Sequence, residues 1–269
     1  MKRMNLLQAG GTAIVSLLLV VSTCQAYQMV WENNYFGSDE GNWTMQQNNY
    51  ANGNNFGWVN SSLAGGTPGE LGGRIADFNQ TTYLFRSLDY TIDLNHEMHF
   101  RGKVTISNPE AWAFGSGQDI NVWVGYFSSA DPDNNRLGWR TYTPSASGAT
   151  QPLRGRARVN GGSNYGYGIL TQDVSYNFEA HWVPSGLNNG YGTYSGFIGS
   201  YTWNDLNYNA GTGSYDVFGL VWKESTVTVG LNYYAYFDNF EYLVPVPEPS
   251  AAVLVMVGGG LALWLRRRV

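Results

Sequence analysis

Hydrophobic and polar residues alternate with a period of two over residues 98–107. Met98, Phe100, Val104 and Ile106 are apolar, and His99, Arg101, Lys103, Thr105 and Ser107 lie on the other phase of the alternation. Successive side chains of a β-strand point to opposite faces, so this pattern predicts an antiparallel strand with one buried face and one solvated face.

The segment Ile120 to Phe127 is apolar on both phases, which is typical of a central strand covered on both sides. Further strand-like runs are 82–88, 90–94, 154–159, 216–222, 225–231 and 233–244, and turn-rich stretches occur at 52–55, 65–69, 131–135 and 160–164. Residues 27–243 contain no amphipathic helix of convincing length. The pattern therefore predicts one all-β domain, a two-sheet antiparallel β-sandwich, over residues 27–243.

The N-terminal 26 residues have the layout of a secretory signal peptide. Lys2 and Arg3 form a positive start, residues 13–21 are apolar except for Ser16, and small residues end at Ala26. We predict that signal peptidase cleaves after Ala26. Lipidation of Cys24, the one cysteine of the chain, is the alternative that stays open. Cleavage at Ala26 leaves a mature protein without disulfides.

Residues 244–269 form a second targeting segment, at the C-terminal end of the chain. Pro247, Glu248 and Pro249 precede the uncharged run Ala251 to Leu265, and Arg266, Arg267 and Arg268 follow it. A helix of that length reaches about 22 Å, and its basic end should stay cytoplasmic. We predict one transmembrane helix at about 251–265, with the prolines extended in front of it.

This arrangement resembles the PEP-CTERM signal of proteins that bacterial exosortases process. The resemblance implies that an exosortase cuts near Pro247, Glu248 and Pro249, and that Arg266, Arg267 and Arg268 act as the membrane stop. It also implies a route: export, anchoring in the inner membrane with the C-terminus in the cytoplasm, and release to the cell surface or the extracellular matrix.

The charge of the middle domain restricts its partners. The chain has 15 Lys and Arg and 20 Asp and Glu, and the two terminal segments hold five of the basic residues and one of the acidic ones. The domain between them therefore carries a net charge of −9. Nucleic acid binding needs basic patches, so we expect no nucleic acid partner.

Three short segments give a second resemblance. Gly125-Tyr126-Phe127, Arg136-Leu137-Gly138-Trp139 and Tyr236-Phe237-Asp238-Asn239-Phe240-Glu241 are similar to segments of exported jelly rolls of the concanavalin A-like lectin and glucanase class. The resemblance implies a jelly-roll-like sandwich.

The sequence offers no recognisable catalytic motif. The Glu-x-Asp-x-x-Glu pattern of the laminarinase-like branch is missing, and Asp238 and Glu241 are three residues apart, so on a regular strand they face opposite sides. His96, His99 and His181 show no metal-ligand spacing. We expect a non-enzymatic protein with no catalytic residues, no cofactor and no metal, although calcium bound through backbone carbonyls stays open.

Aromatic residues near turns give the most specific hypothesis of a ligand. Trp112, Trp139, Trp182 and Trp203 lie beside turn-forming sequences, and residues 186–208 are the richest in Gly, Asn and Tyr. Exposed rings stack on sugars, so these four tryptophans are predicted to contact a neutral polysaccharide. The alternatives are a structural matrix protein without a ligand and a glycan-degrading enzyme of an unrecognised type.

Overall fold

A computed structural model of the protein describes eleven segments, among which no helix is long and apolar enough to cross a membrane. The described segments are 27–34, 43–46, 55–65, 68–75, 81–107, 120–132, 136–142, 153–159, 168–186, 189–224 and 233–247. The predicted signal peptide, Ala26, the predicted transmembrane helix and the strand predicted at 225–231 lie outside them.

The described residues form fifteen strands, numbered β1 to β15 in chain order, in two sheets. Sheet 1 has the order β13-β12-β11-β6-β15-β4-β3, and β1 pairs with β15. Its strands are β1 (Tyr27–Asn34), β3 (Gly57–Val59), β4 (Glu70–Ile75), β6 (Met98–Ser107), β11 (Ser175–Pro184), β12 (Tyr191–Ile198), β13 (Tyr201–Asn209) and β15 (Tyr233–Pro247).

Sheet 2 has the order β10-β9-β8-β7-β14-β5-β2. Its strands are β2 (Thr44–Gln46), β5 (Thr81–Asp93), β7 (Ile120–Phe127), β8 (Arg136–Tyr142), β9 (Leu153–Val159), β10 (Gly168–Leu170) and β14 (Ser214–Glu224). The neighbouring strands with a defined register are antiparallel in both sheets. The predicted two-sheet antiparallel β-sandwich is confirmed.

Most of the individual strand predictions hold, with two differences. Strand β6 buries Met98, Phe100 and Val104 completely, as its alternation predicts, and β7 is buried on both faces. The two strands predicted at 82–88 and 90–94 are one strand, β5. Residues 186–208, where the sequence pattern predicts no strand, contain most of the antiparallel pair β12 and β13.

Buried aromatic rings fill the space between the two sheets. Phe100 of sheet 1 packs against Tyr126 and Phe218 of sheet 2, with ring centroids 5.9 and 5.6 Å apart. The hydroxyl of Tyr126 lies 3.0 and 2.8 Å from the carbonyl oxygens of His99 and Leu243 and shares its one proton between them. Both carbonyls belong to sheet 1, so this hydroxyl ties the backbones of β6 and β15 to β7.

Part of the outer face of sheet 2 is apolar, and the guanidinium groups of Arg136 and Arg140 lie over the Trp123 ring beside it. Since Tyr126 and Phe218 point towards sheet 1, their strand neighbours on the other phase point away from it. Those neighbours form a buried cluster of Tyr83, Phe85, Trp123, Phe127, Val217 and Val221. We call these six residues the apolar face.

The chain divides into two compact units. Residues 31–244 form one unit, which holds the sandwich. The other unit gathers residues 1–30 with residues 245–269.

Candidate functional site

The outer face of sheet 1 carries charged and imidazole side chains along its central strands. In β6, His99, Arg101 and Lys103 alternate with the buried residues and therefore point outward. In β11, Glu179 and His181 do the same, because Phe178, Ala180 and Trp182 are buried. The register places His181 opposite His99 and Glu179 opposite Arg101, so the side chains of the two strands meet.

One row of side chains crosses four adjacent strands. Phe197 of β12 is opposite Glu179, Glu179 is opposite Arg101, and Arg101 is opposite Glu241 of β15. Arg101 forms an ion pair with Glu241. Strands in a sheet are about 4.8 Å apart, so Glu179 and Glu241 flank Arg101 at a Cα separation of about 10 Å.

This row lines a groove of about 310 Å³ on the sheet surface. Besides Gly102 and the buried Phe178, its lining consists of Arg101, Lys103, Asn177, Glu179, Phe197, Asn239 and Glu241. The two basic side chains balance the two carboxylates, the two amides can donate and accept hydrogen bonds, and Phe197 offers a ring face. We call this feature the sheet 1 groove.

A bulge in β15 brings Asp238 and Glu241 to the same face. Asp238 is opposite Lys103 and Glu241 is opposite Arg101, so β15 has one more residue than β6 over this interval. Asn239 accommodates the extra residue by adopting a left-handed backbone conformation, with a φ of 55°. The prediction that Asp238 and Glu241 face opposite sides is therefore wrong, because that prediction assumed a regular strand.

The segment 61–65 lies over the Lys103 end of the groove. Lys103 Nζ donates to the carbonyl oxygen of Gly65 at 3.1 Å, and Thr105 Oγ1 donates to that of Leu63 at 2.8 Å. The carboxylate of Glu70 accepts hydrogen bonds from the backbone N–H groups of Leu63 and Ala64, at 2.9 and 2.7 Å. These bonds hold the segment as a fixed wall beside the groove.

Asp238 lies beneath this wall and is only 1% exposed. Its Oδ1 accepts a hydrogen bond from the N–H of Asn239 at 2.7 Å, and its Oδ2 has no hydrogen-bond partner among the described residues. Burial raises the pKa of Asp238, the Asn239 hydrogen bond lowers it, and the nearby Glu70 raises it further. The carboxyl group is thus harder to ionise than an exposed aspartate.

Two histidines and two glutamates stand beside the groove. The rings of His99 and His181 stack with centroids 4.2 Å apart. His99 Nε2 lies 2.9 Å from Glu179 Oε1, and His181 Nε2 lies 2.7 Å from Glu97 Oε1. Burial lowers the pKa of His99, and the neighbouring His181 lowers it further. The hydrogen bond with Glu179 raises the pKa but does not offset the effect of burial.

Sequence reasoning missed this histidine pair because it searched for ligands closely spaced along the chain. His99 and His181 come from different strands and are brought together by the pairing of β6 with β11. The single local signal was that each of the two histidines lies on a strand face between apolar neighbours.

Trp31 is the exposed aromatic residue of this region. It is 43% exposed, its ring lies edge-on to His99 at 4.6 Å, and the Arg101 guanidinium stands 5.1 Å above it. The sequence reasoning singled out tryptophans beside turns, whereas Trp31 lies within strand β1. Trp31 therefore places a flat apolar surface next to the row of side chains that lines the sheet 1 groove.

Three of the four tryptophans predicted to contact a glycan are buried. Trp139 and Trp182 are 0% exposed and Trp203 is 6% exposed. Trp139 packs on Phe178 at 4.7 Å, and Trp182 Nε1 donates to the carbonyl oxygen of Leu94 at 2.9 Å. The prediction of exposed rings is wrong for these three, because their strands turn them into the sandwich. Trp112 lies outside the described residues.

The sorting residues fall at the edge of the described chain or beyond it. Pro247 is the last residue of β15. Glu248, Pro249, Arg266, Arg267 and Arg268 lie outside the described residues, so the processing and membrane predictions stay predictions.

Comparison with known proteins relates the chain to others by fold alone. No protein-family model and no curated protein matches it. Among solved structures, it is similar to the Emp47p carbohydrate recognition domain, with 10% identity, 81% of this chain and 98% of the other covered, and a TM-score of 0.46. It is also similar to basic winged bean lectin, with 11% identity, coverage of 82% and 99%, and a TM-score of 0.46.

A third similar structure is an endo-β-1,4-glucuronan lyase from the fungus Trichoderma reesei. The identity is 11%, the coverage is 81% of this chain and 95% of the other, and the TM-score is 0.47. The neighbours thus include lectins and glycan-cleaving enzymes with jelly-roll folds. Likeness at this distance describes the architecture and says nothing about a ligand or a reaction.

Proposed function

We propose that this protein is an exported glycan-binding protein of the bacterial envelope or extracellular matrix, and that its binding face is the outer face of sheet 1. The observation that carries the proposal is the sheet 1 groove next to the exposed ring of Trp31. Sugar sites commonly combine an aromatic platform with a few polar groups that hydrogen-bond to hydroxyls.

The charge balance of the groove favours a neutral polysaccharide. Arg101 and Lys103 offset Glu179 and Glu241, so neither an anionic nor a cationic polymer is attracted by a net field. Arg101 is already paired with Glu241, which leaves hydrogen bonding and ring contact as the main interactions. Such binding should be weak, in the micromolar to millimolar range, and should change little with salt.

Calorimetric titration of the purified full-length protein with a panel of neutral envelope polysaccharides tests this proposal. Trp31→Ala and Phe197→Ala should each weaken binding by about tenfold, since each removes an aromatic contact. Tyr191→Ala is the matched control, because Tyr191 is an exposed ring outside the groove lining. A titration with no heat across the panel would favour a structural protein without a ligand.

A glycan-cleaving enzyme is the second candidate, favoured by the placement of Glu179 and Glu241. Both carboxylates line one groove two strands apart, and glycosidases act with carboxylates about 5–10 Å apart. Release of reducing ends during the titration would support the enzyme, and Glu241→Gln should then abolish the release. Measurable binding without release of reducing ends would support binding without cleavage.

We propose the export route that the two terminal segments predict. Signal peptidase cleaves after Ala26, the helix at 251–265 holds the chain in the inner membrane, and an exosortase cuts near Pro247 to Pro249. Intact-mass measurement of surface material should find a product without Arg266 to Arg268. Replacing Pro247, Glu248 and Pro249 with alanine should retain the protein in the inner membrane. Surface material that still carries the three arginines would contradict the route.

A further inference from the structure

We propose that Glu97, His99 and His181 bind a divalent transition-metal ion of the zinc class on the outer face of sheet 1. Each residue offers one ligand atom, and the three atoms lie within 4.8 Å of one another. This proposal is independent of the glycan hypothesis, since neither Glu97 nor the two histidines line the sheet 1 groove.

The distances suit an ion after small side-chain movements. Since the three atoms are separated by at most 4.8 Å, an ion can be placed within about 2.8 Å of all of them. Zinc bonds to His nitrogen and carboxylate oxygen are about 2.0–2.2 Å long, so movements of under about 1 Å complete the site.

The backbone under the two histidines is firmly placed. His99 and His181 are paired residues on neighbouring strands in the interior of sheet 1, where neither strand is an edge. The carbonyl oxygen of His99 also accepts the buried hydroxyl of Tyr126 at 3.0 Å. Ligands on rigid strands keep their mutual geometry without the ion, which favours a preformed site.

The donor set selects the class of metal. Two imidazoles and one carboxylate suit Zn²⁺, Cu²⁺ and Ni²⁺, whereas Ca²⁺ and Mg²⁺ prefer oxygen ligands alone. Three protein ligands leave one position of a tetrahedral ion open to water or another small ligand. If His99 binds the ion through Nδ1, Glu179, 2.9 Å from its Nε2, is placed as the outer carboxylate that orients this histidine.

Zinc binding by the tag-free full-length protein tests the site. Equilibrium dialysis followed by elemental analysis should find one zinc ion per chain, and replacing zinc with cobalt should give visible absorption bands typical of nitrogen ligands. His181→Ala and Glu97→Gln should each weaken zinc binding by at least about tenfold. Excess calcium should not displace zinc.

His96→Ala is the matched control, because His96 contacts Asp93 at 2.7 Å and is not part of the ligand set. Its zinc affinity should equal that of the unaltered protein. Equal zinc affinity in His181→Ala and the unaltered protein would overturn the proposal, as would loss of binding in His96→Ala to the same extent. Circular dichroism of each variant distinguishes a lost ligand from a lost fold.

Discussion

The two sheets of the sandwich differ in their outer faces. On sheet 1 that face holds half-buried and exposed charged, imidazole and amide side chains and a 310 Å³ groove. On sheet 2 it includes the apolar face, whose six side chains are all buried, with Arg136 and Arg140 lying over one of them, Trp123. The same architecture thus has one face suited to polar recognition and one that contributes to stability by burial.

The comparison shows how strand composition assigns roles before any ligand is considered. Strand β6 is apolar on one phase only, and its polar phase carries His99, Arg101 and Lys103. Strand β7 is apolar on both phases, and its outward residues Trp123 and Phe127 are buried. A strand that is apolar on both phases is therefore a poor place to look for a polar site.

The largest expected effect comes from truncating the apolar face. Phe127→Ala should destabilise the protein by about 3–5 kcal/mol, because it removes a buried ring that contacts Tyr83 and Phe85. The counterpart on sheet 1, His181→Ala, should cost about 1 kcal/mol or less. Urea unfolding followed by circular dichroism measures the free energy of unfolding of both variants. Similar losses in the two variants would mean that the two faces do not differ in their contribution to stability.

A smaller effect is expected from the hydroxyl that connects the sheets. Burial raises the pKa of Tyr126 well above its ordinary value, so its hydroxyl stays protonated and donates to the carbonyl oxygens of His99 and Leu243. Tyr126→Phe should lower the free energy of unfolding by about 1–3 kcal/mol, because buried acceptors lose their donor. An unchanged unfolding midpoint would mean that the hydrogen bonds of the Tyr126 hydroxyl do not contribute to stability.

Two arginine–tryptophan pairs, one on each face, allow a direct comparison. Arg136 lies 3.7 Å above Trp123, which is buried, and Arg101 lies 5.1 Å from the exposed Trp31. Desolvation strengthens such pairs, so Arg136→Ala should cost about 2 kcal/mol and Arg101→Ala about 1 kcal/mol or less. Unfolding experiments rank the two, and the reverse order would contradict the assignment of the faces.

The smallest effect concerns Asp238, the buried exception on sheet 1. Its pKa is raised in the folded protein, so the ionised carboxylate weakens stability at neutral pH and the cost disappears as pH falls towards the ordinary value of 3.8. Asp238→Asn should therefore raise the Tm by a few degrees or less at pH 7, and the difference should vanish near pH 4.

Thermal unfolding of both proteins between pH 4 and 8 measures this difference. A lower Tm in Asp238→Asn at pH 7 would show that Oδ2 has a partner that requires its charge, such as a bound cation.

The sequence predicted the fold better than the site. Period-two alternation and apolar runs depend on neighbours along the chain, so β6 and β7 were correctly predicted. The pattern predicts no strand at the hairpin of β12 and β13, because its Gly, Asn and Tyr residues hide the alternation. The pairing of His99 with His181 depends on strand register, which no local pattern encodes. Exposure of Trp31 and burial of Trp182 likewise depend on which strand lies beside which.

The extra residue in β15 has a consequence for how this chain can change over time. Because Asn239 is the extra residue of the bulge, its loss would leave a regular strand with Asp238 and Glu241 on the outer face and Phe240 and Tyr242 in the core. While the residue is kept, its φ of 55° restricts what can stand there, because Asn and Gly tolerate that conformation better than other residues. We therefore expect homologous chains either to carry Asn or Gly at this position or to lack the residue altogether.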